Sequence, residues 1–304
     1  MKGWAARPLL CGFLLLLLCR CTQAERGPAA DALYAQATAT MLDHAFPSRR
    51  IEYLLLDPRT GETIAMRWPK VSAPIPAGSL LKPFVALAYA ELHAEPMAQA
   101  ARFPATVCHG KKDGCWHPTG HGPVTLERAL AESCNAYFLS LARNISDAGE
   151  DGREALKRVS VAYGLPASPD FAEPGSMIGL NAEWRIPPLA IARAYAALGV
   201  GTLPGSYDAM RILAGLRMAT EHHGTAFGVG SHVDGVLAKT GTAPCVSEAH
   251  CVANGDGLVV VLASAKAPHL LLLVRQRGTT GARTAEVAGR MLARIESEGS
   301  GYSH

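Results

Sequence analysis

The sequence predicts an α/β (α+β) fold, with one sheet of about five strands flanked by helices and an inserted all-helical lobe. Three observations predict it. Strand-like runs stand near both ends of the chain, a block of helical periodicity lies between them, and 304 residues suffice to bury a sizeable core in one large domain or two lobes. With 49% hydrophobic and 18% charged residues, the composition excludes wholesale disorder. The net charge of +3 is small and its positive residues are scattered, which argues against a nucleic-acid partner.

The elements follow in order. Lys2 and Arg7 flank the start of "LLCGFLLLLLC", and "TQA" supplies small residues for cleavage after Ala24, so residues 1–24 read as a secretory signal peptide. The apolar run is shorter than the roughly 20 residues that span a bilayer. The expectation is an exported protein, periplasmic or extracytoplasmic, soluble after cleavage. Residues 25–47 read as a leading helix or linker through "AADALYAQATATMLDHAF", residues 48–296 as the main domain and 297–304 as a polar tail. "IEYLLLDPRTGETIAMRW" places two β-rich runs around a turn on Asp57, Pro58 and Gly61, a hairpin signal. "IPAGSLLKPFVALAYAEL" opens a helix at Gly78, and residues 101–123, rich in Gly, His, Pro and Cys, read as loop. From Thr125 as N-cap, "LERALAESCNAYFLSLAR" is helical in period throughout. "GREALKRVSVAYG", "PPLAIARAYAALG" and "YDAMRILAGLRMATEH" continue the helical block. "DGVLAKTGTA", "GLVVVLASA" and "HLLLLVRQR" are strand-like, and "TAEVAGRMLARIESE" closes the domain as a helix.

Five cysteines follow the export segment. In an oxidising compartment Cys108 with Cys115, and Cys245 with Cys251, are disulfide candidates, leaving Cys134 as a buried apolar residue. The loop "CHGKKDGCWHPTGH" brings Cys108, His109, Cys115, His117 and His121 together and raises the question of zinc. Its cysteines lack C-x-x-C spacing, and export favours the disulfide, so no metal is expected.

The chemistry lies in three short motifs. Ser79 and Lys82, three apart at a helix start, share a face. Serine needs a base within reach, and a lysine near the positive end of a helix is disposed to lose its proton. Free N–H groups of the first turn would face an oxyanion at Ser79. Alone, S-x-x-K is weak. It is joined by S-x-N at Ser133 and Asn135 and by K-T-G at Lys239, Thr240 and Gly241, in that order, a set tied to serine enzymes that react with penicillins.

With these motifs the chain resembles the transpeptidase domain of the penicillin-binding proteins, serine acyl-enzymes that cross-link peptidoglycan. "LLLDPRTGETIAM", "GHGPVTLERALAESCNAYF", "IPPLAIARAYAAL" and "GLRMATEHHGTA" are similar to further family segments, so the likeness spans roughly residues 48–295. The resemblance implies an antiparallel sheet and a set of roles. Ser79 would attack a D-Ala-D-Ala-like carbonyl with Lys82 as base. Ser133 would relay the proton to the leaving amine, and Asn135 would hold the substrate amide and steady Lys82. Lys239 would add positive potential. Thr240 and Thr242 would receive the substrate carboxylate, and the N–H groups of Ser79 and Thr242 would form the oxyanion hole. A side chain at Gly241 would block an extended substrate lying along the strand. The resemblance implies no cofactor or metal. It implies peptidoglycan stem peptides and β-lactams as ligands, with another cell-wall protein as a candidate partner.

The same motifs serve D,D-carboxypeptidases or endopeptidases and β-lactamases. The deacylating glutamate of class A β-lactamases lies in E-x-x-L-N, but here Leu180-Asn181 is preceded by Met177 at the glutamate position. S-x-N also departs from the S-x-V and Y-x-N of classes D and C. A non-catalytic penicillin- or peptide-binding module is the alternative of another class.

Overall fold

The computed structural model describes residues 28–94, 103–167, 173–201, 207–245 and 255–300. The signal-peptide reading, Cys251 and the last four residues lie outside these. Helix α1 (Pro28–Ala45) leads into the hairpin β1 (Ile51–Leu56) and β2 (Thr63–Arg67). The short β3 (Ile75–Pro76) precedes a 3-10 turn, Gly78–Leu81, that runs straight into α2 (Lys82–Leu92). A two-stranded ribbon follows, β4 (Thr106–Cys108) with β5 (Gly122–Val124). The helical block comprises α3 (Leu126–Ala131), α4 (Asn135–Asp147), α5 (Glu150–Ala162) and α6 (Pro174–Met177). After β6 (Arg185–Ile186), which pairs with β3, come α7 (Pro188–Val200), α8 (Tyr207–Met218) and α9 (Phe227–Gly230). The chain finishes with β7 (Leu237–Ala243), β8 (Asp256–Ala263), β9 (Leu270–Arg277) and α10 (Gly281–Ser300).

The main sheet is antiparallel with five strands in the order β2-β1-β9-β8-β7, so the two ends of the chain close one sheet, as expected. β1, β8 and β9 are buried almost end to end because helices cover both faces, which explains runs such as "LVVVLA" and "LLLLV". Leu54, Leu271, Leu273 and Val260 pack toward α2 and α7. Tyr53, Leu272, Val259 and Val261 pack on the other face with Ala288, Met291 and Leu292 of α10. β7, which carries K-T-G, is an edge strand bonded within the sheet to β8 alone.

The helical stretch expected from Thr125 is divided. Thr125 caps α3 as anticipated, accepting from the Arg128 N–H, but the helix stops at Glu132. Ser133 has φ 51, in the left-handed region, and α4 restarts at Asn135 with Cys134 as its extended N-cap. Distant partners described below impose this break, which the local periodicity does not announce.

Glu52 of β1 is buried and bridges Arg275 and Arg277 of β9, with Arg275 itself buried over the Trp68 ring. Removing the carboxylate would leave a buried guanidinium unpaired. Glu52→Ala is expected to lower stability by about 3 kcal/mol, measured by denaturant unfolding, whereas a neutral result would mean that Arg275 finds water instead.

Candidate active site

Ser79 sits in the 3-10 turn, partly exposed, while Leu80 and Leu81 anchor that turn in the core. Entry depends on Gly78, whose φ is +56 and whose missing Cβ would lie 2.9 Å from the Thr242 carbonyl oxygen. The first motif and the K-T-G strand are therefore in backbone contact. Tyr195 of α7 braces the turn from behind: its buried hydroxyl donates to the Leu80 carbonyl at 2.8 Å, and its ring meets Phe84 edge-on.

One turn on, Lys82 is completely buried. Its ammonium donates to the Ser133 carbonyl (2.7 Å), the Ser133 hydroxyl (3.2 Å) and Asn135 Oδ1 (2.7 Å). Lys239, equally buried, donates to the same Ser133 Oγ at 2.9 Å and to the Thr240 carbonyl at 2.9 Å. The three motifs thus converge on Ser133. Among the described residues no carboxylate shares the hydrogen bonds of either lysine, and burial, outweighing the opposite pull of the Cys134 and Cys115 sulfurs on Lys82, disfavours the charged forms. It lowers Lys82 to about 7. Lys239 is pushed well below the ordinary lysine range by burial and then by Lys82. Two ammonium groups on one buried hydroxyl repel each other, so the site favours one neutral amine, which is what a general base requires.

The remaining predicted residues are also placed. Thr240 is buried, with its hydroxyl 2.7 Å from Thr225 Oγ1. Thr242 is exposed on the edge strand, and its hydroxyl accepts from the Gly281 N–H at the start of α10 (3.0 Å). Gly241 also meets a need within the chain itself. A Cβ there would lie 3.2 Å from both the Ala77 carbonyl oxygen and Leu80 Cγ, so the glycine lets the strand approach the serine turn. Met177, at the position of the β-lactamase glutamate, is fully buried.

Two contributors were not singled out by sequence reasoning. Trp116 donates from Nε1 to the Ser133 carbonyl at 3.1 Å, and its only signal was its place in the Cys-His loop. Thr225 links Thr240 to the Ala131 carbonyl, and it lies within the quoted "EHHGTA".

The cysteines require a correction. Cys245 is disulfide-bonded, with its partner outside the described residues. Cys108, Cys115 and Cys134 are free and buried. The expected Cys108–Cys115 disulfide is absent because these thiols turn toward a shared centre with His121 and Cys134, whose ligand atoms all lie within 4.8 Å of one another. Cys134 is therefore one of a cluster rather than isolated apolar filling.

A serine on a tight turn, a buried lysine pair meeting at a second serine, and an open strand edge define a serine acyl-transfer centre. The chain belongs to the penicillin-binding protein transpeptidase domain family, whose domain profile matches residues 53–295. Its function is accordingly penicillin-binding and transpeptidase-like. Comparison with curated proteins finds no match. Among solved structures, the transpeptidase domain of penicillin-binding protein 3 from Burkholderia pseudomallei is similar at 16% identity and TM-score 0.64, over 88% of this chain and 93% of that one. Penicillin-binding protein 2 of Pseudomonas aeruginosa is similar at 19% identity and TM-score 0.68, over 87% and 73%. Penicillin-binding protein 2 of Helicobacter pylori, solved as a complex with MreC, is similar at 17% identity and TM-score 0.68, over 88% of this chain but 63% of its own. These likenesses show the fold. Among the described residues, no helix is long and apolar enough to cross a membrane.

The brace behind the serine turn is directly testable. Tyr195→Phe leaves the buried Leu80 carbonyl without its donor at a cost of about 1 kcal/mol. For a domain of this size that should lower the melting temperature by about 2–4 °C, measured calorimetrically.

Proposed function

We propose that this chain is a peptidoglycan D,D-transpeptidase-like enzyme acylated at Ser79 by D-Ala-D-Ala stem peptides and by β-lactams. The observation that carries the proposal is the buried Lys82, with lowered pKa, joined through Ser133 Oγ to Lys239. In its neutral form Lys82 has a lone pair for the Ser79 proton, one helical turn away. The Ser79 hydroxyl attacks the substrate carbonyl, and Ser133 then passes a proton to the departing amine. Asn135 holds Lys82 and faces the acyl chain. Thr240 and Thr242 lie on the open edge where an extended peptide would add and its carboxylate would dock, with the Ser79 and Thr242 N–H groups as oxyanion donors. The acyl group leaves with an amine in cross-linking or with water in trimming.

Two alternatives are less well supported. For a β-lactamase, fast deacylation needs a held water, but Met177 replaces the expected glutamate and no carboxylate bonds Lys82 among the described residues. A purely binding module would not need two buried lysines without countercharges. The MreC complex of the Helicobacter pylori relative supports keeping a protein partner within the proposal.

Labelling with a fluorescent penicillin tests the nucleophile. A stable covalent adduct should form on the wild-type chain and disappear in Ser79→Ala. A folded wild type that never labels would refute the proposal, and an adduct lost within seconds would favour the β-lactamase alternative. Lys82→Ala should slow labelling by about 10²–10⁴-fold. The rate should also follow the neutral fraction of Lys82, whose pKa is about 7. It is expected to climb about tenfold per pH unit below that value and flatten above it, so a flat profile across neutrality would remove Lys82 as the base.

A further inference from the structure

We propose that Cys108, Cys115, His121 and Cys134 form a structural zinc site that fixes the turn carrying Ser133 and Asn135. The four residues come from separate places: the end of β4, the turn after it, the approach to β5 and the N-cap of α4. Their ligand atoms nevertheless meet. His121 Nδ1 lies 3.6 Å from Cys108 Sγ and 3.4 Å from Cys115 Sγ, and Cys115 Sγ lies 3.9 Å from Cys134 Sγ. A tetrahedron with Zn–S of about 2.3 Å and Zn–N of about 2.0 Å has edges of about 3.8 Å between sulfurs and about 3.5 Å between sulfur and nitrogen. The measured separations are close to those edges before any ion draws the ligands in. Three thiolates and an imidazole are a soft donor set that suits zinc and not calcium or magnesium. Four protein ligands complete a tetrahedron and leave no position for substrate, so the ion would be structural.

A further observation points to a ligand here. His121 Nε2 and Glu132 Oε2 are both buried without a hydrogen-bond partner, and they face each other at 4.0 Å. With Nδ1 on a metal, Nε2 must carry the proton and would donate it to that carboxylate, the usual support of a metal-bound histidine. Glu132 is meanwhile held through its other oxygen by Arg128. A Cys108–Cys115 disulfide would use two thiols and strand Cys134 and His121, whereas a zinc ion uses all four. His109 is not a ligand, since its Nδ1 pairs with Asp113. Binding would release the three thiol protons to solvent.

The consequence for the active site follows from chain adjacency. Cys134 lies between Ser133 and Asn135, and Trp116, next to Cys115, donates to the Ser133 carbonyl. The ion would therefore hold the left-handed Ser133 turn both through the main chain and through the indole.

The mature chain, purified after export without chelators, should carry about one zinc per molecule by elemental mass spectrometry. Cobalt substitution should give thiolate-to-cobalt charge-transfer absorption. Glu132→Gln, which keeps all four ligands, should weaken zinc binding about 10-fold or more, and Cys115→Ser should abolish it. Any loss of penicillin labelling on chelation, with recovery on adding zinc, rests on the acyl-serine proposal, but metal content and cobalt spectra do not, so the two can fail separately. A Cys108–Cys115 disulfide in the native protein would overturn the site. So would a metal-free protein with free thiols and no gain in melting temperature on adding zinc.

Discussion

Two buried amines on one hydroxyl are the constraint around which the molecule is organised. Lys82 and Lys239 both reach Ser133 Oγ, with no carboxylate between them among the described residues. Burying cations in that way is costly unless one loses its charge and polar atoms surround the other. The surroundings answer that need. The Ser133 carbonyl is turned inward by a left-handed backbone, Asn135 offers its amide oxygen at the start of α4, and the Thr240 carbonyl takes Lys239. The strained turn and the split helix are local costs that let three separate chain segments share one polar core.

The sheet decides where this core can be used. Because helices cover both faces, the three motifs meet at an edge of the sheet, and β7 is that edge. The serine turn is pressed against β7 through Gly78 and Gly241, so Ser79 and the open strand keep a separation set by backbone contact. Side-chain flexibility contributes little there. The same rigidity explains why Tyr195, which touches no substrate group, belongs to the support of the site.

Most of the architecture was readable in the amino-acid order. Strands buried on both faces appear as unbroken apolar runs, the Asp57–Gly61 turn marks its hairpin, and S-x-x-K, S-x-N and K-T-G stand out in their order. The unreadable parts depend on tertiary contacts. The apolar period of "LERALAESCNAYFL" runs through Ser133 without interruption, and the helix breaks there because partners 51 and 106 residues away hold it open. The Cys108–Cys115 pairing fails because spacing along the chain favours those two, while folding brings Cys134 and His121 to the same point. The need for Gly241 is legible in K-T-G, but its close approach to Ala77 and Leu80 of the chain's own serine turn is not.

The strand order also bears on how the protein comes into being. The central strand β9 ends at Arg277, and it joins β1 by contacts spanning 223 residues, as from Glu52 to Arg275. Until that late segment has been synthesised, the β1–β2 hairpin has no strand on its inner side and is covered only in part, by α1 and α7, while the intervening helices already have partners among themselves. Contacts this distant in sequence slow folding and prolong exposure of unpaired edges. A chain interrupted before residue 270 would keep every residue of the first two motifs and still lack the platform that brings them to the third.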